Sequence, residues 1–222
     1  MAPIGEPKAE LAPLYRSDGS ATYSYSGYTI TGAVNGPIEA QRRDENPFEA
    51  LIDINVRPAA GVGVTETPEN AYANTKVVQA QLNLAIIPAL LHAAILSLLT
   101  AAIPLKTIAT AVTIAIPITS SQDQDGTAVI VDPSTREAST ARSLHVLGYT
   151  ATDELLLVES QGAFTAVEWE TVLKIGQEVC CQAVQHDLED TAMTGSGLES
   201  ASIRSFIRSV METKIAEDLS WK

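Results

Sequence analysis

Leu82–Pro104 reads LNLAIIPALLHAAILSLLTAAIP, and Ile108–Ile118 continues as IATAVTIAIPI. Between Val77 and Gln122 there is no acidic residue and one basic residue, Lys106. The first segment is long enough to cross a bilayer, for which roughly 20 apolar residues suffice. The second is β-branched and reads as a strand. A helix that is apolar all round either spans a membrane or lies buried in a protein core. The buried reading is preferred on four grounds. Asn83, His92, Ser97 and Thr100 are scattered around the helix. No Trp or Tyr marks either end as an interfacial belt, and a lone Lys gives no positive-inside signal. Ala85, Ala89, Ala93, Ala94, Ala101 and Ala102 suit close packing against a sheet. A membrane anchor over residues 82–104 is the alternative.

Composition narrows the classes. The 222 residues make one large domain or two small ones. With 27 acidic against 14 basic residues the formal charge is −13. That opposes independent nucleic-acid binding, which rests on Lys and Arg displacing counterions from phosphates. The only cysteines, Cys180 and Cys181, are adjacent, a poor arrangement for a disulfide and no zinc site. A reducing compartment is expected. The N-terminal MAPIGEPKAELAP lacks a signal-peptide pattern and reads as a flexible arm over 1–15.

The rest of the chain is strand-rich at first. Ser20–Tyr25 and Tyr28–Val34 flank Ser26-Gly27, a hairpin pattern. Leu51–Val56 alternates apolar and polar residues with period two, as a strand with one buried face does. Residues 59–76 read as a loop. Ala128–Val131, Arg142–Tyr149 and Glu154–Glu159 read as further strands, with turns at Ala151–Asp153 and Gln161-Gly162. Thr165-Ala-Val-Glu168 has the form of a capping box and opens a helix to about His186. A linker over 188–198 precedes a second capping box, Ser196 to Glu199. The helical extension over 199–222 looks appended to a finished domain.

Enzyme motifs are missing: there is no G-x-S-x-G, no P-loop and no H-E-x-x-H. His92, His145 and His186 are far apart in sequence. His92 reads as a core histidine. No metal or cofactor constellation is present in the sequence.

The order of several phrases resembles the ribonuclease PH family. They are Arg16-Ser17-Asp18-Gly19 leading into the hairpin, Val34-Asn35-Gly36-Pro37-Ile38-Glu39, and Leu51–Val62 (LIDINVRPAAGV). Further along come Ile95–Ile116, the Asp132-Pro133-x-Thr135-x-Glu137 segment, and Leu155–Cys180. Together they cover most of residues 16–187. The wording is most similar to ring subunits of the eukaryotic RNA exosome. The resemblance implies an α+β fold, ribonuclease PH-like (ribosomal protein S5 domain 2-like), with mixed sheets around a buried central helix.

In active members of that family an Asp, a Gly-Gly turn and a Thr-Arg pair sit at the N-terminus of the central helix, where helix N–H groups and Arg hold phosphate. The matching stretch here, Val78–Pro88, carries none of these. The resemblance therefore implies a non-catalytic subunit with no phosphate-binding or metal-binding residues and no cofactor. An active phosphate-dependent 3′–5′ exoribonuclease is the alternative. The implied partners are other ribonuclease PH-like subunits, paired as heterodimers within a six-member ring, with S1/KH-type caps and a separate catalytic exoribonuclease. The implied role is 3′–5′ RNA processing and decay, including ribosomal RNA maturation, in nucleus, nucleolus and cytoplasm. Arg42 and Arg43 are the candidate RNA contacts, touching phosphates without reading bases. The competing reading is a solvated loop beside Asp44 and Glu45. Two departures stand out. Ser20 occupies the position of a frequent Arg, and the stretch after Gly63 is short by one helix and one strand.

Overall fold

The computed structural model describes residues 7–25, 27–39, 52–57, 84–118, 129–181 and 203–220. Three strands open the chain: β1 (Lys8–Leu11), β2 (Gly19–Tyr25) and β3 (Tyr28–Val34). They form an antiparallel sheet in the order β1-β2-β3, with Tyr25 opposite Tyr28 at the hairpin tip. The hairpin is the expected one. The arm expected over 1–15 instead supplies β1, whose register runs from Lys8 opposite Ser24 to Leu11 opposite Ala21.

The charge-free run becomes a 3-10 turn, Leu84–Ile86, then helix α1, Ile87–Thr100, then strand β4, Ala109–Pro117. Helix α1 has 14 residues, about 21 Å of rise, against roughly 30 Å of hydrocarbon. Among the described residues no helix is long and apolar enough to cross a membrane. The anchor reading is set aside.

A second antiparallel sheet runs β5-β4-β6-β7, with β5 (Ile130–Val131), β6 (Ala141–Thr150) and β7 (Leu155–Gly162). All described pairings in both sheets are antiparallel, so the α+β class stands without the mixed pairing expected of it. Helix α2 (Thr135–Thr140) links β5 to β6, α3 (Ala166–Cys181) follows β7, and α4 (Ile203–Asp218) closes the described chain.

Helix α1 packs against β2 and β3 on one side and β4 on the other. That placement is why no face of it is polar. Strand β4 is likewise buried on both faces, and its sequence shows how. Val112, Ile114 and Ile116 join Leu147, Tyr149, Val172 and Cys180 in the core beneath α3. Residues alternate across a strand, so Ala111, Thr113 and Ala115 face the α1 side. Small side chains there let the two elements approach closely: the Ala111 N–H donates to His92 of the helix, and Ala115 clusters with Ala85 just ahead of it.

Helix α3 opens with the expected capping box: Thr165 Oγ1 accepts from the Glu168 N–H, and Glu168 Oε2 accepts from the Thr165 N–H at 2.7 Å. Arg142 of β6 also pairs with Glu168. Gln161 and Gly162, expected in a turn, instead complete β7 opposite Leu144 and Ser143.

Helix α4 is part of the core rather than an appendage. Ile207 is 1% exposed and clusters with Tyr23, Ala93 and Leu96. Arg204 donates to the Thr150 carbonyl at 3.0 Å. Its apolar stripe was legible, but a stripe does not say what it covers.

Contacts divide the chain into one unit of residues 1–35 with 84–222 and a second of residues 36–83. Within the second, residues 52–57 are not in a strand, and Ile52 and Ile54 are exposed. Period-two alternation marks a face but supplies no partner for the backbone, and no described residue pairs with this segment. The loop over 59–76, the linker and the second capping box lie outside the described residues.

Candidate functional site

The N-terminal end of α1 closes a small cavity of about 10 Å³ lined by Tyr25, Tyr28, Ala85, Pro88, Ala89, Thr113, Asp132 and Pro133. Four elements deliver these residues. The β2–β3 tip brings both tyrosines and the first turn of α1 brings the apolar wall. Strand β4 brings Thr113. Pairing of β5 with β4 (Val131 opposite Ile114) then sets Asp132 beside Thr113.

Asp132 has φ 49°, a left-handed conformation that Asp tolerates better than most residues. Local hydrogen bonds hold it there. Its N–H donates to the Thr113 carbonyl at 2.8 Å, and its Oδ1 accepts from the Thr113 N–H at 3.4 Å. Oδ2 accepts from the Tyr25 hydroxyl at 3.1 Å, a tie between the two sheets. Burial pushes the Asp132 carboxyl up to about 6, with the Tyr25 and Thr113 hydrogen bonds pulling the other way. Burial, then the Asp132 charge, raises the Tyr25 hydroxyl well above its usual range.

Chemically the cavity combines one acid, Asp132, with three hydroxyl-bearing residues, Tyr25, Tyr28 and Thr113, and an apolar wall from Ala85, Pro88 and Ala89. No ion pair to Asp132 occurs among the described residues. Helix α1 has no side-chain cap at Ile86, and Pro88 removes one of its terminal N–H groups. The helix end offers roughly half a positive charge, less than the full negative charge of an ionised Asp132. An anion such as phosphate would have to overcome that balance and also lose its hydration. Among the described residues, no cluster of three or more His, Cys, Asp or Glu could hold a metal.

The remaining candidates sort cleanly. His92 is a core histidine. Its Nε2 accepts from the Ala111 N–H at 3.1 Å, and burial lowers its pKa to about 4. His145 is buried, between the hydroxyls of Ser143 and Ser160 and against the rings of Phe164 and Trp169. Burial lowers its pKa. Burial raises the Cys180 thiol to about 12, and burial with Asp153 raises Cys181 to about 11, so neither is an activated nucleophile. Arg42 and Arg43 lie outside the described residues, as do Gln81–Asn83.

The Asp132–Glu137 motif splits into two jobs. Asp132 serves the cavity, while Glu137 caps α2 by accepting from the Ser134 N–H at 2.9 Å. Sequence reasoning looked for an acid in the stretch running into α1 and found none. The acid arrives from 45 residues beyond Ile87, signalled only by Asp-Pro ending a strand beside β4. Ser20, at the position of a frequent Arg, is 1% exposed and accepts from the Leu14 N–H at 3.0 Å.

No family model matches the chain. Among curated proteins it is similar to exosome complex component RRP46 of Saccharomyces cerevisiae, at 26% identity over 209 aligned positions. The match covers 80% of this chain and 91% of the yeast protein. Eighty per cent of 222 residues is about 178, so roughly 31 of the 209 positions hold no residue of this chain. Among solved structures, rice (Oryza sativa) Rrp46 superposes with a TM-score of 0.64 at 20% identity, covering 94% of this chain and 95% of that one. A subunit of an archaeal exosome core matches at 0.53 and 15%, covering 79% and 83%. A chain of the Archaeoglobus fulgidus exosome with RNA bound to the active site matches at 0.53 and 16%, covering 79% and 85%. The fold is the ribonuclease PH-like fold of exosome core subunits.

Proposed function

We propose that this chain is a ring subunit of an RNA exosome that acts by assembly, supporting 3′–5′ RNA processing and decay carried out by a separate nuclease. The observation carrying this reading is the agreement of two similarities, in sequence to yeast RRP46 and in fold to rice Rrp46, each across most of both chains. Its partners on this reading are other ribonuclease PH-like ring subunits. Cap subunits of the S1/KH type and an associated exoribonuclease extend the proposal, as do nuclear, nucleolar and cytoplasmic locations. Any RNA contact would be weak and fall to Arg42 and Arg43. Co-purification of the tagged chain from cells is expected to recover other ring components. Recovery of the chain alone would overturn the assignment.

Catalytic silence is the second part of the proposal. The unpaired Asp132 carboxylate and apolar walls at the α1 terminus support it, because they disfavour phosphate. The opposing reading also has an observation, since Asp132 places an acid at the end of the central helix. Incubating the purified chain with RNA and inorganic phosphate separates the two. No release of nucleoside diphosphates is expected, and phosphate-dependent release abolished by Asp132→Asn would establish an active exoribonuclease.

A further inference from the structure

We infer that the cavity at the N-terminal end of α1 is a specific hydration site, in which one water bridges Thr113 Oγ1, the Tyr28 hydroxyl and the Asp132 carboxylate. Three observations converge on it. Thr113 is 3% exposed, and its Oγ1 has no hydrogen-bond partner among the described residues. The Tyr28 hydroxyl, from a different sheet, is also buried and unpartnered. Both residues line the same cavity as Asp132, whose oxygens receive, among the described residues, the Tyr25 hydroxyl and a long Thr113 N–H contact.

Buried hydroxyls without partners are rare, because each loses its hydration with nothing in return. A cavity needs about 10–15 Å³ of probe-sized space to hold a water, and a buried water typically makes about three hydrogen bonds. The volume here is about 10 Å³, and Thr113, Tyr28 and Asp132 all line it. The chemistry of the wall selects the guest. A carboxylate accepts, while the two hydroxyls donate or accept by rotating. Water serves all three at once. The partial positive charge of the helix end opposes a cation, and the carboxylate opposes an anion. The bridged water joins the β2–β3 tip to β4 and to the residue after β5, alongside the direct Tyr25–Asp132 bond. This inference does not depend on membership of a ring.

Thr113→Val tests it by sign, since valine keeps the shape and removes the hydroxyl. With a water bonded to Oγ1, the substitution breaks a buried hydrogen bond, and Tm is expected to fall by about 2–4 °C. A rise in Tm would mean that the hydroxyl sits unpaired and would overturn the proposal. A crystal structure of the purified chain at high resolution supplies the second measurement. One water peak within hydrogen-bonding distance of both Thr113 Oγ1 and the Tyr28 hydroxyl is expected, and a dry cavity would overturn the proposal. Replacing sodium with potassium at constant ionic strength should leave Tm unchanged. A potassium-specific increase lost in Asp132→Asn would assign the site to a cation instead.

Discussion

The two ends of α1 meet the same demand, burial between two sheets, by opposite means. Its C-terminal half is packed by subtraction. A Cβ on Gly32 would stand 2.5 Å from Ser97 Oγ and 3.2 Å from the Ala93 carbonyl oxygen, and one on Gly19 would fall against Ser97 and Ala101. The small residues 93, 97 and 101 recur every four positions and so share one face, which meets two glycines of the sheet. Its N-terminal end is loose and polar, built around Asp132, Thr113 and two tyrosines. One helix therefore carries a dry contact with no spare volume and a cavity with room for about one water. Close packing secures the position of the helix, and the polar end sets its response to pH.

The largest expected effect comes from attacking the dry end. Gly32→Val adds three carbons where one would already collide with Ser97 Oγ at 2.5 Å and crowd the Ala93 carbonyl oxygen at 3.2 Å, so Ser97 must turn away and the helix must give. Overpacking of a rigid contact costs typically 1–3 kcal/mol and occasionally more, and about 3 kcal/mol is expected here by urea denaturation. A loss below about 1 kcal/mol would mean that α1 can slide on the first sheet, which would dissolve the contrast between its ends.

The polar end is sharpened by pH. Burial pushes the Asp132 carboxyl from its ordinary 3.8 up to about 6. The folded state thus holds its proton more tightly than the unfolded state. Its stabilising contribution is complete below pH 3.8 and is lost as pH rises through 6. His92 runs the other way, from 6.5 down to about 4. Its contribution is complete above pH 6.5 and is lost as pH falls through 4. Each shift amounts to about 3 kcal/mol, and the two nearly cancel over the window they share. Asp132→Asn should therefore uncover a stability that climbs with pH from 4 to 6.5, along with higher stability at pH 7. His92→Gln should uncover the reverse slope between 3.8 and 6. Parallel profiles for the two variants and the parent would show that neither group is buried as described.

What the sequence made legible follows from how local the signal was. The α1–β4 run, the hairpin and the Thr165 capping box are written in contiguous residues, and each was found. Helix α2 was equally local, since Ser134 to Glu137 is a capping box, but its residues had been read as a family motif alone. Strand β1 was hidden by the prolines on either side of it, Pro7 and Pro13, and its place is evident only once β2 offers an edge. The role of Ile207 and the arrival of Asp132 at α1 both depend on which elements meet. Neither hydropathy nor spacing reports that. The sequence drew attention to the N-terminal end of α1, where it offered no acid; Asp132 arrives there only through the pairing of β5 with β4.

The smallest effect distinguishes the end of α1 from its packing. The helix stops in a Schellman arrangement: the Ile103 N–H donates to the Leu98 carbonyl at 3.2 Å, and the Ala102 N–H donates to that of Leu99 at 3.0 Å. Ala102 at the turn has φ 54°, a conformation that costs an L-residue roughly 1–2 kcal/mol. Glycine removes that cost but adds freedom to the unfolded chain, worth about 0.4–1 kcal/mol. Ala102→Gly is therefore expected to stabilise the chain by about 0.5–1 kcal/mol, seen as a higher midpoint in urea with an unchanged slope. Combined with Asp132→Asn it should be additive, because the two substitutions sit at opposite ends of the helix and share no contact. Coupling beyond about 0.5 kcal/mol would show that α1 responds as one rigid rod. The dry and polar ends would then be two views of a single packing.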